Sequence, residues 1–315
     1  MTFKSKIIRL FTFSIIAFSI VACNKDNTSS PGKVNFEVTD APFDDPEVQA
    51  VFVTVAAVKV DGKAIDNFSG KTTFDLASYQ RGQTKSLGST NLQSGTYSNV
   101  TLVLDNNTDQ SGNAPGCYVL TKSGQKKAIT AASATSEIAL TGQFKSVADQ
   151  TSTAVIDFDL RKTIAYNSTN GYKFATDSEM SNGIRVVQKS ETGVIKGSTT
   201  DAAVTSSEKI VVYAYKKGTY NKATEMQGQG SSGITFKNAV TSSVASNGSY
   251  ELHFLQPGDY ELHCISYKDT NKDGKLDIQG EFQASLLGSL NISSVSVGAN
   301  ATVTANINLT AVLPL

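Results

Sequence analysis

Between Asp269 and Glu281 the chain reads Asp-Thr-Asn-Lys-Asp-Gly-Lys-Leu-Asp-Ile-Gln-Gly-Glu. Oxygen-bearing side chains stand at the first, third, fifth and ninth positions: Asp269, Asn271, Asp273 and Asp277. Side chains at that spacing can converge on one cation, and Ca²⁺ takes about six to eight oxygens at ~2.3–2.6 Å. Gly274 occupies the sixth position, where a sharp turn needs positive φ, and Lys275 at the seventh offers its carbonyl. The twelfth position is Gly280 rather than an acid, and Glu281, one residue later, is the candidate closing ligand. The flank Leu262–Tyr267 reads as strand, so a helix-flanked loop is not expected. The pattern predicts a Ca²⁺ loop of the Asp-x-Asn-x-Asp-Gly type set between strands. An acidic, solvated turn held by Asx hydrogen bonds is the alternative.

Other groups carry weaker chemistry. Asp40, Asp44, Asp45 and Glu47 cluster around Pro42 and Pro46, residue types that turns and caps use. Asp157 and Asp159 share one face of a strand, as paired hydrolase carboxylates do, but no partner acid is identifiable and an outward polar face is expected. His253 and His263 share the outward parity of a hairpin, and Zn²⁺ there would need a further protein ligand. No Gly-x-Ser-x-Gly elbow and no phosphate-binding Gly loop occurs. The 28 Lys+Arg balance the 28 Asp+Glu, which leaves no basic field for nucleic acid. Two His and no Trp leave little material for imidazole catalysis or indole stacking. The reading is therefore of a non-enzyme with no catalytic residue assigned.

The first thirty residues fix the compartment. Lys4, Lys6 and Arg9 precede an apolar run from Leu10 to Ala22, too short to span a bilayer but the right length for a signal peptide. The run ends Ile20-Val21-Ala22-Cys23, which resembles the lipobox of bacterial lipoproteins. The resemblance implies a signal peptide over 1–22, a lipidated Cys23 and a polar tether over 23–32. Several acyl chains would hold such a protein firmly on a membrane. Asn24-Lys25-Asp26, with no Asp directly after Cys23, resembles lipoproteins sent to the outer membrane, on its surface or its periplasmic face. Cleavage removes three cations and no acid, so the formal charge of 0 becomes −3.

Positioning these groups requires strands. Val34–Val38, Val51–Val55 and Val58–Val60 alternate apolar and polar residues, and further strands read at Thr72–Leu76, Ser98–Leu104, Tyr118–Thr121, Ala128–Thr130, Ser136–Leu140, Thr153–Leu160 and Gly183–Gln188. Short helical turns fit Pro46–Val51 or Asp159–Ala165. A new pattern opens at Gly193 and continues through Lys209–Tyr215, Gly233–Lys237, Tyr250–Leu255, Tyr260–Tyr267 and Ala301–Leu309. The fold class is thus all-β, two β-sandwich domains over 33–190 and 193–315. Tyr250, Leu252 and Phe254 are expected to alternate inward. Both segments carry Leu-x-x-Gly-x-Tyr, at Leu92, Gly95 and Tyr97 and at Leu255, Gly258 and Tyr260. Cys117 and Cys264 fall in different segments and read as two buried free thiols, an inter-domain disulfide being the alternative.

Two resemblances sharpen this. Val34-x-Phe36-x-Val38-Thr39-Asp40-Ala41-Pro42, Leu92-Gln93-Ser94-Gly95-Thr96-Tyr97, Val155-Ile156-Asp157-Phe158-Asp159-Leu160 and Ile184-Arg185 resemble the bacterial lipoprotein domain called domain of unknown function 4382. That implies a secreted β domain of unestablished role. Gly193-x-Ile195-x-Gly197, Asn247-Gly248-Ser249-Tyr250-x-Leu252 and Leu255-x-Pro257-Gly258-x-Tyr260-x-Leu262 resemble the carboxypeptidase-regulatory-like or collagen-adhesin B-type repeat. This implies a transthyretin-like (prealbumin-like) sandwich used as a spacer or binding platform. The combined expectation is a lipid-anchored surface protein for adhesion, assembly or capture of a glycan or protein ligand. An accessory component of an extracellular glycan- or protein-degrading system, or a hydrolase whose site forms only in three dimensions, is the alternative.

Overall fold

A computed structural model describes residues 30–315 apart from 42–44, 46, 69, 202–208, 273–274 and 289–290. Cys23, the signal segment, most of the tether, Asp44, Asp273 and Gly274 lie outside the described residues. The chain is all-β, and among the described residues no helix is long and apolar enough to cross a membrane.

The first core forms where two sheets pack. One has six strands in the order Lys85–Leu92, Gly32–Ala41, Thr151–Asp159, Ile184–Gln188, Thr141–Ser146 and Gly95–Tyr97. The other is built around the long strand Val48–Val60, with Val100–Asp105 and Tyr118–Thr121 beside it. Val34 and Phe36 from one sheet and Val53, Leu102 and Leu104 from the other share one buried cluster. Full burial of each such side chain stabilises by roughly 1.5–3 kcal/mol. Phe36 and Phe144 meet edge to face at 5.4 Å, a favoured aromatic geometry.

The second core is enclosed by one hydrogen-bonded path of strands that runs from Thr241–Val244 through Lys209–Lys216, Gly258–Lys268, Asp277–Leu286, Ile307–Pro314 and Gly193–Asp201 to Ser249–Leu255. Ile195, Val212, Tyr250, Leu252, Leu262 and Cys264 fill it. A smaller apolar cluster of Tyr213, Tyr215, Phe236, Ile265 and Tyr267 packs apart from it. Lys209–Lys216 contributes to both clusters, so its interior is buried without alternation.

Several expectations shift in detail. The segments Val51–Val55 and Val58–Val60 are one strand, kinked by a bulge between Val55 and Ala57. That strand starts at Val48, which displaces the helical turn read at Pro46–Val51, whereas Leu160–Thr163 does form one turn of helix. Gly233–Lys237 is a loop rather than a strand. Ile234 and Gln229 exchange two 2.9 Å backbone hydrogen bonds across it, and Phe236 has φ +51°. Phe254, also left-handed at φ +56°, does not join Tyr250 and Leu252 in the second core but packs on Val155 and Val187 of the first sheet. Both cysteines are buried and free, and burial pushes the Cys117 thiol up to about 12. The repeated motif does the same work twice: Tyr97 donates to the Gln93 carbonyl at 2.8 Å and Tyr260 to that of Gln256 at 2.7 Å.

Candidate functional site

The charges that matter most lie on the seam between the two cores. Asp157 and Asp159, expected on an outward polar face, are each only 5% exposed. The strand that carries them is buried on both faces from Ala154 onward, because the second core covers what would be its solvent side. Arg185 stands directly across from Asp157 in register and donates to it from Nε at 2.9 Å and Nη2 at 2.6 Å. Burial raises the Asp157 carboxyl above its ordinary value and Arg185 opposes the rise.

Asp159 leads into the turn Leu160–Thr163, which aims two cations across the seam. Arg161 donates to Asp159 at 2.8 Å and to the carbonyls of Thr235 and Phe236 at 3.1 and 3.0 Å, with its guanidinium 4.9 Å from the Tyr213 ring centre. Lys162 donates to the Ala239 carbonyl, and burial lowers it to about 8. Further along, Glu179 accepts from Ser232 N at 3.1 Å and Oγ at 2.5 Å, and Lys275 reaches Asp45 and the Tyr172 hydroxyl. Asp157 and Asp159 are thus each held by an arginine, Arg185 and Arg161.

At one end the seam opens into a cleft of about 430 Å³. Its first wall is the end of the strand Gly32–Ala41, with Thr39 and Asp40, and the turn holding Gln80 and Gly82. The opposite wall is the edge strand Thr241–Val244 and the segment from Glu251 to Phe254. Gly82, at φ +77°, sits so near His253 that an added Cβ would lie 2.5 Å from its Nδ1, so only glycine lets the walls approach here. Arg81 bridges the rim by donating to the Ser249 carbonyl at 2.7 Å. Glu251 and His253 pair at 2.7 Å.

Asp40 is the exception among these acids. It is 6% exposed and accepts from Leu160 N at 3.2 Å and Gln80 Nε2 at 3.5 Å, and among the described residues no Lys or Arg forms an ion pair with it. Burial raises its carboxyl well above the ordinary value, and Asp159 and Asp157 add to the rise. Ser242, 3% exposed, also lines the cleft, and its hydroxyl has no hydrogen-bond partner among the described residues.

The candidate Ca²⁺ residues are brought together only in part. Asp277 accepts from Thr270 N at 3.3 Å and from its hydroxyl, which closes the loop that holds Asp269 and Asn271. Lys275 points its side chain at Asp45, and its carbonyl role is separate from that contact. Glu281, the candidate closing ligand, lies up the strand opposite Ile265, with its carboxylate bonded to His263 Nδ1 at 2.6 Å and the Tyr220 hydroxyl at 3.2 Å. The described residues include no group of three or more His, Cys, Asp or Glu placed to hold a metal. His253 and His263 each find a glutamate of their own rather than each other. Sequence reasoning missed Arg161, Lys162 and Ser242. The signal for the first two was a pair of cations at the end of a strand already carrying Asp157 and Asp159.

Residues 31–176 match the family model described as Domain of unknown function (DUF4382). Thr39, Asp40, Gln80, Asp157 and Arg161 all fall inside that segment. No curated protein matches the chain. Among solved structures, a leucine-rich repeat protein from Bacteroides thetaiotaomicron is similar at 12% identity and TM-score 0.21, over 91% of this chain and 26% of its own. BcpA, the major pilin subunit of Bacillus cereus, is similar at 12% identity and TM-score 0.21, over 89% of this chain and 71% of its own. GBS52, the minor pilin of Streptococcus agalactiae, is similar at 13% and TM-score 0.21, over 89% and 97%. The chain spans about a quarter of the first of these. Scores this low do not equate the folds, and the all-β architecture stands on this chain's own strand pairing.

Proposed function

We propose that this is a non-enzymatic, lipid-anchored protein of the cell outer membrane that presents two joined β domains, 33–190 and 193–315, for adhesion, assembly or capture of a glycan or protein ligand. The observation that carries the reading is the basic, apolar, small-residue leader ending Ile20-Val21-Ala22-Cys23 ahead of an all-β chain. Acylation of Cys23 fixes the location and the polar tether sets the body off the bilayer. The transthyretin-like repeat acts as the platform, and the structural use of Asp157 and Asp159 supports a binding role over hydrolysis.

The same reading gives the loop from Asp269 to Asp277 to Ca²⁺ as a structural clamp, with Asp269, Asn271, Asp273, Asp277 and the Lys275 carbonyl as ligands. The closure of Asp277 onto Thr270 supports a preformed loop. Ca²⁺ is expected to raise the melting temperature of the chain and to have no effect in Asp273→Ala; an unchanged wild-type curve removes the metal from the account. For the anchor, cells fed labelled palmitate should label the wild-type chain in the membrane fraction and leave Cys23→Ala unlabelled. A wild-type chain that takes up no label overturns the reading.

A further inference from the structure

We propose that the cleft between the two cores is a binding site for a neutral, hydroxyl-rich ligand, a terminal sugar of an oligosaccharide, held by Ser242, Asp40 and Gln80. The proposal deepens the surface-binding reading above and rests on it.

Three observations define the ligand. The first is size: about 430 Å³ falls in the roughly 300–1,000 Å³ range of small-molecule sites. The second is unmet hydrogen bonding. A buried hydroxyl without a partner costs about 1–3 kcal/mol, and among the described residues the hydroxyl of Ser242, a residue of the cleft lining, has none, so a ligand group that reaches it would relieve that cost. The third is charge. Asp157 is neutralised by Arg185, Glu251 is hydrogen-bonded to His253, and Arg81 at the rim donates to the Ser249 carbonyl. Asp40 has no cationic partner among the described residues, and its burial beside Asp159 and Asp157 favours the protonated carboxyl.

A serine hydroxyl and the Gln80 amide each donate and accept, and the Asp40 carboxyl, whose burial favours the protonated form, accepts and gains a donor when it holds the proton. Sugar hydroxyls do the same, whereas a phosphate only accepts and an ammonium only donates. Phe254, 7% exposed, gives the cleft lining a small apolar edge. Because the walls come from both cores, the site exists only while the seam is closed.

The test uses the full chain purified from membranes in detergent and titrated with neutral hexose and N-acetylhexosamine oligosaccharides of two to four units, with spermidine as the cationic probe. One or more oligosaccharides should bind the wild type. Ser242→Val should weaken binding about tenfold, the worth of one hydrogen bond. Gln80→Leu, at a half-buried rim position, should weaken it several-fold, and Lys59→Ala, on a surface ion pair elsewhere, should not change it. Melting curves run alongside confirm that the variants are folded. Undiminished oligosaccharide binding in both cleft variants overturns the cleft assignment but leaves surface binding intact. No oligosaccharide bound by the wild type, or spermidine bound in their place, overturns the ligand class. Neither result touches the palmitate test of the anchor.

Discussion

The two ends of the seam differ in how they treat buried polar groups. At the Arg161 end, Asp159 is answered by a guanidinium that also satisfies two carbonyls of the other core. At the cleft end, among the described residues, Asp40 has no counter-ion and the Ser242 hydroxyl has no hydrogen-bond partner. Polar groups buried by folding alone are normally paired, because an unpaired one costs free energy. Asp159 Oδ1 too accepts no hydrogen bond among the described residues, so the ends differ in their ion pairs: the ion-paired end reads as structural, and the end whose acid has no cation as the candidate binding site.

The largest effect is expected from breaking the paired end. Arg161→Ala leaves Asp159 buried with only the longer, 3.7 Å contact to Lys162 and should destabilise the chain by about 3 kcal/mol in urea unfolding. A double change of Asp159→Asn and Arg161→Met, which removes both charges, should recover much of that loss. A double variant no more stable than Arg161→Ala would show that the pair is not the cause.

Phe254→Ala comes next, at about 3 kcal/mol, because it empties the apolar contact with Val155 and Val187. A loss under about 1 kcal/mol by the same unfolding measurement would remove Phe254 from the seam.

Asp40→Asn should act in the opposite direction. The folded state raises the Asp40 carboxyl above its unfolded value near 3.8, so the folded chain holds this proton more tightly. Stability from this group is fully present below that value and falls as pH rises through the raised one. Asp40→Asn should thus be more stable than wild type at pH 8 and level with it near pH 3, read from urea midpoints. A gain that does not depend on pH contradicts the assignment.

The smallest effects sharpen the comparison between the cores themselves. Tyr97→Phe and Tyr260→Phe each delete one hydroxyl-to-carbonyl bond of the shared motif and should each cost about 1 kcal/mol. Unequal losses would mean that the matching geometry hides different surroundings.

The fold was largely legible because turn residues and period-two alternation mark strands directly. The seam was not. Asp157 and Asp159 alternate with Ile156 and Phe158 as an outward face should, and nothing local says that a second core covers that face. Phe254 fits the inward pattern of Tyr250 and Leu252, yet a left-handed residue turns it toward the first sheet. Glu281 falls one position from a ligand place in sequence, while the strand Asp277–Leu286 carries it to His263. Alternation reports which residues share a face and is silent on what the face meets.

The most direct test is calorimetric unfolding of the full chain in detergent, alongside Arg161→Ala. If the seam joins both cores into one body, the wild type melts in a single transition, and Arg161→Ala splits it into two or shifts the whole transition down. Two separate wild-type transitions, with neither moved by Arg161→Ala, would contradict the account.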